Sequence, residues 1–214
     1  MTTVETALRI SLEVDCAGSE LCERTAGPLL EQLASGDYDR CSVLELPPSI
    51  DVWLEQHRTA RKRATRSGRR GYIAGVLERE KHVDEIHEIN TSSRIRQGRP
   101  MTHGYRTKQT YSPLPAYPCP RHAIRTTGIS FGGRLVGYLA MYRCGELALV
   151  SQILGHADFL EDEIMYQLFA AALKRELGRG PGVVVYNRHD SGTEGLRFFK
   201  ERLGFEEAEV AWAR

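Results

Sequence analysis

The sequence has no long apolar run and no recognisable targeting segment. Apolar stretches such as VGYLAMY at 136–142 are far shorter than the roughly 20 residues that a transmembrane helix needs. The first residues, MTTVETALRISLEV, lack a basic start followed by an apolar core, so they do not form a signal peptide. These absences predict a cytoplasmic protein that has no membrane partner.

Two catalytic motifs are also missing. The chain contains no GxxxxGK and no HExxH. Those patterns are typical of phosphate-binding loops and zinc proteases, respectively. The sequence therefore gives no support to an NTPase or a zinc protease.

Cysteine is present but not in a recognisable framework. The five cysteines are an odd number and form no Cys-x-x-Cys motif, which favours reduced thiols over a set of disulfides. The phrase Cys119-Pro-Arg-His122, with His103 nearby, has residue types that bind zinc. One cysteine and two histidines do not complete a closed structural site, so the sequence predicts no metal.

The formal net charge is only +1, which does not by itself predict a polyanionic partner. The positive charge is concentrated, however, in RTARKRATRSGRR at 58–70, which has seven basic residues and no acid. At 100° per residue, a helix would gather most of them within an arc of about 140°. The basic stripe is defined as the five residues within that arc together with Arg70 at its margin: Arg58, Arg61, Lys62, Arg66, Arg69 and Arg70.

Two interpretations of the basic stripe remain open from the sequence. A row of guanidinium groups suits a phosphate backbone, because each can bind a phosphate through two hydrogen bonds. A charged helix face is also an ordinary solvated surface, and Glu55, Glu78 and Glu80 are available nearby as ion-pair partners.

The length of 214 residues fits one domain with an N-terminal extension, at 1–70, before a core at 71–214. In the first half, hydrophobic patterning predicts strands at 7–14, 41–49 and 71–77 and helices at 26–35, 50–67 and 78–90. Ser49 is the expected N-cap of the helix at 50–67, and Gly68 its expected stop. Residues 91–122 are predicted to be irregular.

The second half has a clearer pattern. Residues 123–154 predict three strands, with turns at Gly132-Gly133 and near Cys144-Gly145. A helix at 162–177, a strand at 182–187, a helix at 195–205 and a strand at 206–212 follow. The sequence thus predicts a mixed α/β (α+β) fold, with a mostly antiparallel sheet flanked by helices.

This order of elements, together with the ending FFKERLGF at 198–205, resembles the second half of the GNAT acyltransferase fold, where FYEKLGF-type endings are common. The resemblance covers roughly residues 71–214. It implies a GNAT-like sheet and an acyl-transferring enzyme.

The resemblance departs from the acetyl-CoA-dependent members in two places. Those enzymes usually carry an RxxGxG/A-type loop that binds the pyrophosphate at a helix N-terminus. The equivalent stretch, QILGHADFLEDE at 152–163, has one glycine and four acids, and carboxylates repel a pyrophosphate. The tyrosine often used there as general acid corresponds to Lys200.

Some GNAT-like relatives take the acyl group from aminoacyl-tRNA instead, and they typically lack an intact pyrophosphate loop. They include the Fem peptidoglycan enzymes and the leucyl/phenylalanyl and arginyl protein transferases. Similarity to this group implies aminoacyl transfer from tRNA to a small-molecule or peptide amine, which forms an amide without a metal or redox cofactor. The alternatives are an acetyl-CoA-dependent N-acetyltransferase with an atypical loop and a catalytically inactive binding module.

The phrase NTSSRIRQGRPM at 90–101 crowds arginines between a predicted helix and a proline-rich segment. Its composition is suited to binding a phosphate, the terminal adenosine of the donor or a substrate carboxylate. Nearby tyrosines are suited to stacking on unpaired bases. A tight turn whose arginines pair with acids at 84–88 or 158–163 explains it equally well. The residues predicted to bind the donor or substrate are Arg94, Arg96, Gln97, Arg99, Tyr105, Ser130, Gln152 and Tyr186.

The predicted catalytic residues lie near the ends of two strands that flank the reaction cleft in GNAT folds. Aminoacyl transfer needs a deprotonated amine and a stabilised oxyanion. His156, or Asp158 through a water, is the expected base, and Asn187 is expected to hydrogen-bond the donor. Asp158 also fits a simple N-cap of the following helix.

Overall fold

The structure is a computed structural model that describes residues 7–12, 16, 19–33, 38–180 and 182–213. The strands are β1 (Leu8–Ser11), β2 (Arg40–Glu45), β3 (Ile73–Val76), β4 (Ile95–Arg96), β5 (Arg99–Pro100), β6 (His122–Phe131), β7 (Arg134–Cys144), β8 (Leu147–Gly155), β9 (Val183–Arg188) and β10 (Glu206–Ala213). The helices are α1 (Glu20–Leu33), α2 (Ile50–Gln56), α3 (Arg58–Arg69), α4 (Val83–Thr91), α5 (His103–Arg106), α6 (Ile164–Glu176) and α7 (Glu194–Arg202). Residues Arg79–Lys81 and Ala157–Asp162 form 3₁₀ turns.

One sheet of eight strands organises the fold, in the order β1-β10-β2-β9-β8-β7-β6-β3. Its centre is the antiparallel meander of β6, β7 and β8, and this confirms the three strands predicted at 123–154. Parallel pairing occurs between β8 and β9 and between β1 and β10. The predicted mixed, mostly antiparallel sheet with flanking helices is therefore confirmed.

Helices cover both faces of this sheet because its strands are apolar on both sides. On one face α2, α3 and α6 pack around Trp53, Phe169 and Leu173. On the other, α1 covers the ends of β2, β9 and β10, and α4 covers β7 through Ile86 and Ile89. In the part of the chain described, no helix is long and apolar enough to cross a membrane.

The N-terminal residues contribute strands to the same sheet as the rest of the chain. β2 lies between β9 and β10, and β1 lies along the outer edge of β10. The predicted boundary at residue 70 falls between α3 and β3, and strands from both sides of it pair with one another.

The helix predicted at 50–67 is two helices, and that prediction was wrong at His57. Ser49 is the N-cap as predicted, since its Oγ accepts a hydrogen bond from the Val52 amide at 3.2 Å. His57 leaves the helical conformation, with φ −107° and ψ 66°, and Trp53 donates from Nε1 to the Leu203 carbonyl at 3.0 Å. Gly68 does not end α3, which continues to Arg69, because an isolated glycine is tolerated within a packed helix.

Other boundaries also differ from the predictions. α1 begins at Glu20 rather than at 26, with Glu20 and Glu23 placed favourably for the helix dipole. Residues 13–14 of the first predicted strand and 34–35 of the first predicted helix lie outside the described residues. The segment 91–122 is less irregular than predicted, because it contains α5 and the β4–β5 hairpin.

Candidate functional site

A cleft lies where β8 and β9 diverge. The two strands pair in parallel along Leu147–Leu149 and Val183–Val185. Beyond this point, Val150–Leu154 of β8 and Tyr186 and Asn187 of β9 line a cavity of about 620 Å³. We call this space the cleft cavity. Its position is the one that the GNAT resemblance implies for the acyl donor.

The β4–β5 hairpin forms one wall of the cleft cavity. Its two-residue turn, Gln97-Gly98, has φ of 51° and 72°, values that suit a type I′ turn and favour glycine at the second position. A Cβ on Gly98 would lie 3.5 Å from Cγ2 of Thr193. The hairpin tip therefore reaches the segment that precedes α7, and it closes that side of the cavity.

Arg96 fastens the hairpin to the rest of the fold. Its guanidinium donates to the carbonyl of Gly155 at 2.8 Å, to the carbonyl of Ile89 at 2.7 Å and to Oγ of Ser92 at 2.8 Å. Burial lowers the pKa of this guanidinium. Arg96 thus donates hydrogen bonds to backbone carbonyls, not to the carboxylates considered from the sequence. These hydrogen bonds connect β4 to the ends of α4 and β8.

The cleft cavity is lined by cationic and neutral polar groups. Among its described lining residues, the charged ones are Arg96 and Arg99, and none is an aspartate, a glutamate or a histidine. Tyr105, Gln152 and Asn187 add hydrogen-bonding groups to the lining. A concave, partly apolar site with a few converging polar groups and net positive charge suits an anionic ligand that carries an apolar or aromatic part.

Most residues predicted to bind the donor lie in this lining. Ser130 does not: it donates to the Ile73 carbonyl at 3.3 Å, at the β3–β6 edge. Arg94 is exposed outside the lining, and its carbonyl accepts a hydrogen bond from the Met101 amide. The structure brings together the remaining six: Arg96, Gln97, Arg99, Tyr105, Gln152 and Tyr186.

Of the three predicted catalytic residues, the structure places Asn187 in the cavity lining, whereas His156 and Asp158 lie beside each other, with Nδ1 3.8 Å from Oδ2. Asn187 lines the cleft cavity in a left-handed conformation, with φ 58°, and its Oδ1 accepts from the Arg188 amide at 2.8 Å. His156 and Asp158 are outside the described lining. Nδ1 of His156 accepts from the Asp158 amide at 3.4 Å, so His156, not Asp158, caps the 3₁₀ turn, and the Asp158 side chain is 81% exposed.

The basic stripe lies along α3, where its members are exposed. Arg66 pairs with Glu163 at 3.2 Å, as does neighbouring Arg63, and Arg70 pairs with Asp162. The partners are thus the acids before α6, not those considered from the sequence. The other four members have no carboxylate oxygen within 4.0 Å in the described part of the chain. They are Arg58, Arg61, Lys62 and Arg69.

The start of α6 differs in structure from a glycine-rich pyrophosphate loop. Glu163 precedes the helix in a left-handed conformation, with φ 62°, and the 3₁₀ turn Ala157–Asp162 comes before it. Glu163 and Asp162 hold three arginines of the α3 region by ion pairs. This helix N-terminus is therefore surrounded by carboxylate–arginine pairs.

Lys200 is the residue that the GNAT resemblance assigned to the position of the tyrosine often used as general acid. It is fully buried, and its Nζ donates to the Arg188 carbonyl at 2.8 Å and to Oγ of Ser191 at 3.4 Å. Burial lowers the pKa of its ammonium to about 8. Lys200 lies behind Tyr186, with Nζ 5.2 Å from the ring centre, and it fixes the β9–α7 connection beside the cavity.

Comparison with known proteins gives structural similarity only. No family model and no curated protein sequence matches the chain. FemX superposes with a TM-score of 0.59 at 11% identity, over 82% of this chain and 61% of the FemX chain. The C-terminal domain of a putative lysylphosphatidylglycerol synthetase from Agrobacterium fabrum superposes with a TM-score of 0.51 at 12% identity, over 88% of this chain and 68% of that domain. The chain thus spans about three fifths of FemX, and the predicted GNAT-like fold is confirmed.

Proposed function

We propose that this protein transfers an aminoacyl group from aminoacyl-tRNA to an amine and forms an amide. The observation that carries the proposal is the start of α6, where Asp162 and Glu163 bind arginines of the α3 region. A pyrophosphate would have to displace these ion pairs. The sequence resembles the Fem enzymes, which use aminoacyl-tRNA, and the structural similarity to FemX supports the same choice of donor.

The basic stripe and the cleft cavity are joined through the start of α6. Arg66 binds Glu163, and Met165, two residues later, lines the cavity. The exposed cations of α3 suit the phosphates of an acceptor stem. The single-stranded end of the same tRNA would enter the cavity, where Arg99 suits a phosphate and Tyr105 suits a stacked base.

The proposed reaction is direct aminolysis of the ester. The acceptor nitrogen attacks the carbonyl carbon, a C–N bond forms, the C–O bond to the ribose breaks, and a proton passes from nitrogen to the leaving oxygen. The described cavity lining offers no histidine or carboxylate as base. We therefore propose that catalysis rests mainly on positioning and on the donors of Tyr105, Gln152 and Asn187. His156 and Asp158, the candidates for the base from the sequence, lie outside this lining.

A side-by-side binding titration tests the choice of donor. The purified chain is titrated with a charged bulk tRNA mixture, with the same mixture deacylated, and with acetyl-CoA, at several salt concentrations. We expect charged tRNA to bind best, and log K to fall with log salt by about 0.9 for each phosphate neutralised. Saturable binding of acetyl-CoA without preference for charged tRNA would refute the proposal and favour the N-acetyltransferase alternative.

Charge reversal on the basic stripe is expected to weaken tRNA binding. The double change Arg61→Glu and Lys62→Glu removes two exposed cations that lack a carboxylate partner in the described structure, so the salt slope should fall by about two. Arg66 is left intact because it pairs with Glu163. The matched control, Lys174→Glu with Arg202→Glu, makes the same change in net charge elsewhere. Equal effects of the two double variants would mean that the stripe is an ordinary solvated face.

Replacement of Arg99 tests the cleft cavity itself. Arg99 is exposed and lines the cavity, so Arg99→Ala should leave the unfolding free energy nearly unchanged. Loss of a charge-assisted hydrogen bond, worth about 1.5–3 kcal/mol, predicts roughly 10- to 100-fold weaker binding of charged tRNA. Arg106→Ala removes an exposed arginine from outside the lining and serves as the control. The same affinity for both variants would exclude Arg99 from donor binding.

A further inference from the structure

Four potential metal ligands from distant parts of the sequence meet on the α1 side of the sheet. They are Cys16 before α1, Cys22 in its first turn, Cys119 before β6 and His122 at the start of β6. Their ligand atoms all lie within 4.8 Å of one another. The Sγ atom of Cys119 is 3.2 Å from that of Cys16 and 3.7 Å from that of Cys22. We call this group the Cys₃His cluster.

The His122 ring is oriented towards the cluster. Its Nδ1 lies 3.1 Å from the Sγ atoms of both Cys16 and Cys119. Its Nε2 faces the other way and lies 3.6 Å from Sγ of buried Cys144. His122 is 1% exposed, so the surrounding protein holds Nδ1 in the position of a fourth ligand.

The sulfur separations are longer than those of a disulfide and suit a shared cation. They are well above the roughly 2.05 Å of an S–S bond. Four ligands around tetrahedral Zn²⁺, with Zn–S of about 2.3 Å, place neighbouring sulfurs about 3.8 Å apart. The observed spread is close to that geometry. Three cysteines and one histidine are also one of the ligand sets of closed structural zinc sites.

The turn Cys119-Pro-Arg-His122 supports a thiolate at Cys119. The backbone amides of Arg121 and His122 donate hydrogen bonds to the sulfur of Cys119. Backbone amides that point at a cysteine sulfur stabilise the negative charge that a metal-bound sulfur carries.

We propose that Cys16, Cys22, Cys119 and His122 bind one Zn²⁺ as a closed structural site. Binding replaces the three thiol protons, which are released to solvent, and the site carries a net charge of −1. This site was not predicted from the sequence, because its first two ligands lie about a hundred residues before the other two. In addition, Cys16 and Cys22 are spaced more widely than the paired cysteines of common zinc motifs. His103 is not part of the cluster.

The proposed metal would hold α1 in place beside the cleft cavity. Cys22 lies on α1, and Thr25 of the same helix hydrogen-bonds the Tyr117 hydroxyl at 2.8 Å. Thr25 also lines a pocket of about 380 Å³ that shares Ser151 and Asn187 with the cleft cavity. A zinc ion at the cluster therefore holds α1 against the segment before β6, next to the cleft.

Metal analysis of the full-length protein, purified without a polyhistidine tag, tests the site. We expect one zinc per chain by elemental analysis, and release of that zinc by a mercurial thiol reagent. Chelation should lower the thermal midpoint, and replacement by Co²⁺ should give a thiolate-to-metal charge-transfer band. Zinc-free protein that has five reactive thiols after denaturation and binds neither added Zn²⁺ nor Co²⁺ would overturn the proposal. A mass lower by two hydrogen atoms, which indicates a disulfide, would also overturn it.

Single variants separate the cluster from ordinary cysteines. Cys22→Ser and His122→Ala should lower zinc content to well below one per chain. Cys41→Ser is the matched control, because Cys41 is buried but its Sγ donates to the Tyr38 carbonyl, outside the cluster. Where a cluster variant fails to fold, the zinc content and Co²⁺ spectrum of the parent protein decide the question. Full zinc content in both cluster variants would overturn the assignment.

Discussion

Glu176→Ala is expected to lower the free energy of unfolding by about 3–5 kcal/mol, the range for removing one partner of a buried ion pair. The Glu176 side chain is 1% exposed, and both of its carboxylate oxygens lie 3.0 Å from Nη1 of Arg125. Without the carboxylate, the Arg125 charge, on a side chain only 13% exposed, loses the ion pair that it makes in the described part of the chain. A loss of this size is a large fraction of the total stability of a typical domain.

Neighbouring arginines increase the contribution of the Glu176 carboxylate to the stability of the fold. Burial lowers the pKa of both Arg143 and Arg175, and the charge of Glu176 acts in the opposite direction on each. Arg143 donates from Nε to the Gly145 carbonyl at 2.8 Å, and Arg175 donates to Oγ1 of Thr127 at 2.9 Å. One acid therefore balances several cations between α6 and the sheet, so its removal affects more than a single pair.

Urea denaturation of matched variants measures this effect. Glu88→Ala is the control, because Glu88 pairs with Arg134 at 2.6 Å while both side chains are about half exposed. Exposed pairs contribute about 0–1 kcal/mol, so the control should change little. The double variant Arg125→Met with Glu176→Leu should recover part of the loss. Equal, small effects of Glu176→Ala and Glu88→Ala would contradict the account.

Gly204→Ala is expected to cost about 2–5 kcal/mol of stability, the second large effect. Gly204 follows α7 with φ 89°, where a residue with a Cβ pays about 1–2 kcal/mol. A Cβ at this position would also overlap the imidazole of His57, and overpacking of this kind adds about 1–3 kcal/mol. The contact matters because His57 is the junction between α2 and α3.

Gly178→Ala separates the two contributions. Gly178 also has a positive φ, 76°, but among the described residues nothing lies within 4 Å of a Cβ placed there. It should therefore show the backbone penalty alone, and Gly204→Ala should lose clearly more stability in the same denaturation measurement. If the two variants lose the same amount, the His57 overlap has no energetic consequence.

Local signals made much of the sheet predictable. The Gly132-Gly133 turn lies between two long runs that predict strands. The composition of GVVVYN alone predicts a buried strand. The division of α2 from α3 at His57 was not predictable, because the residues that pack around this junction, Leu203 and Gly204, come from near the other end of the chain. The patterning at 50–67 contains no comparable signal.

The same distinction between local sequence signals and long-range contacts applies to the candidate site. Arg96, Gln97 and Arg99 could be selected because they lie in one unusual phrase, and the fold places that phrase over the cleft. The Cys₃His cluster could not be assembled from spacing, because its halves meet only when α1 packs beside the start of β6. The sequence also does not show that the Arg96 guanidinium would donate its hydrogen bonds to backbone carbonyls rather than to carboxylates.

The position of β10 in the sheet sets the order in which the chain can fold during synthesis. Leu8 pairs with Val210, and β2 needs β10 on one side and β9 on the other. The first two strands therefore leave the ribosome long before their partners exist, whereas the β6–β8 meander can form as soon as it emerges. Such non-local pairing slows folding, so the early strands must stay unaggregated until translation has reached the final strand.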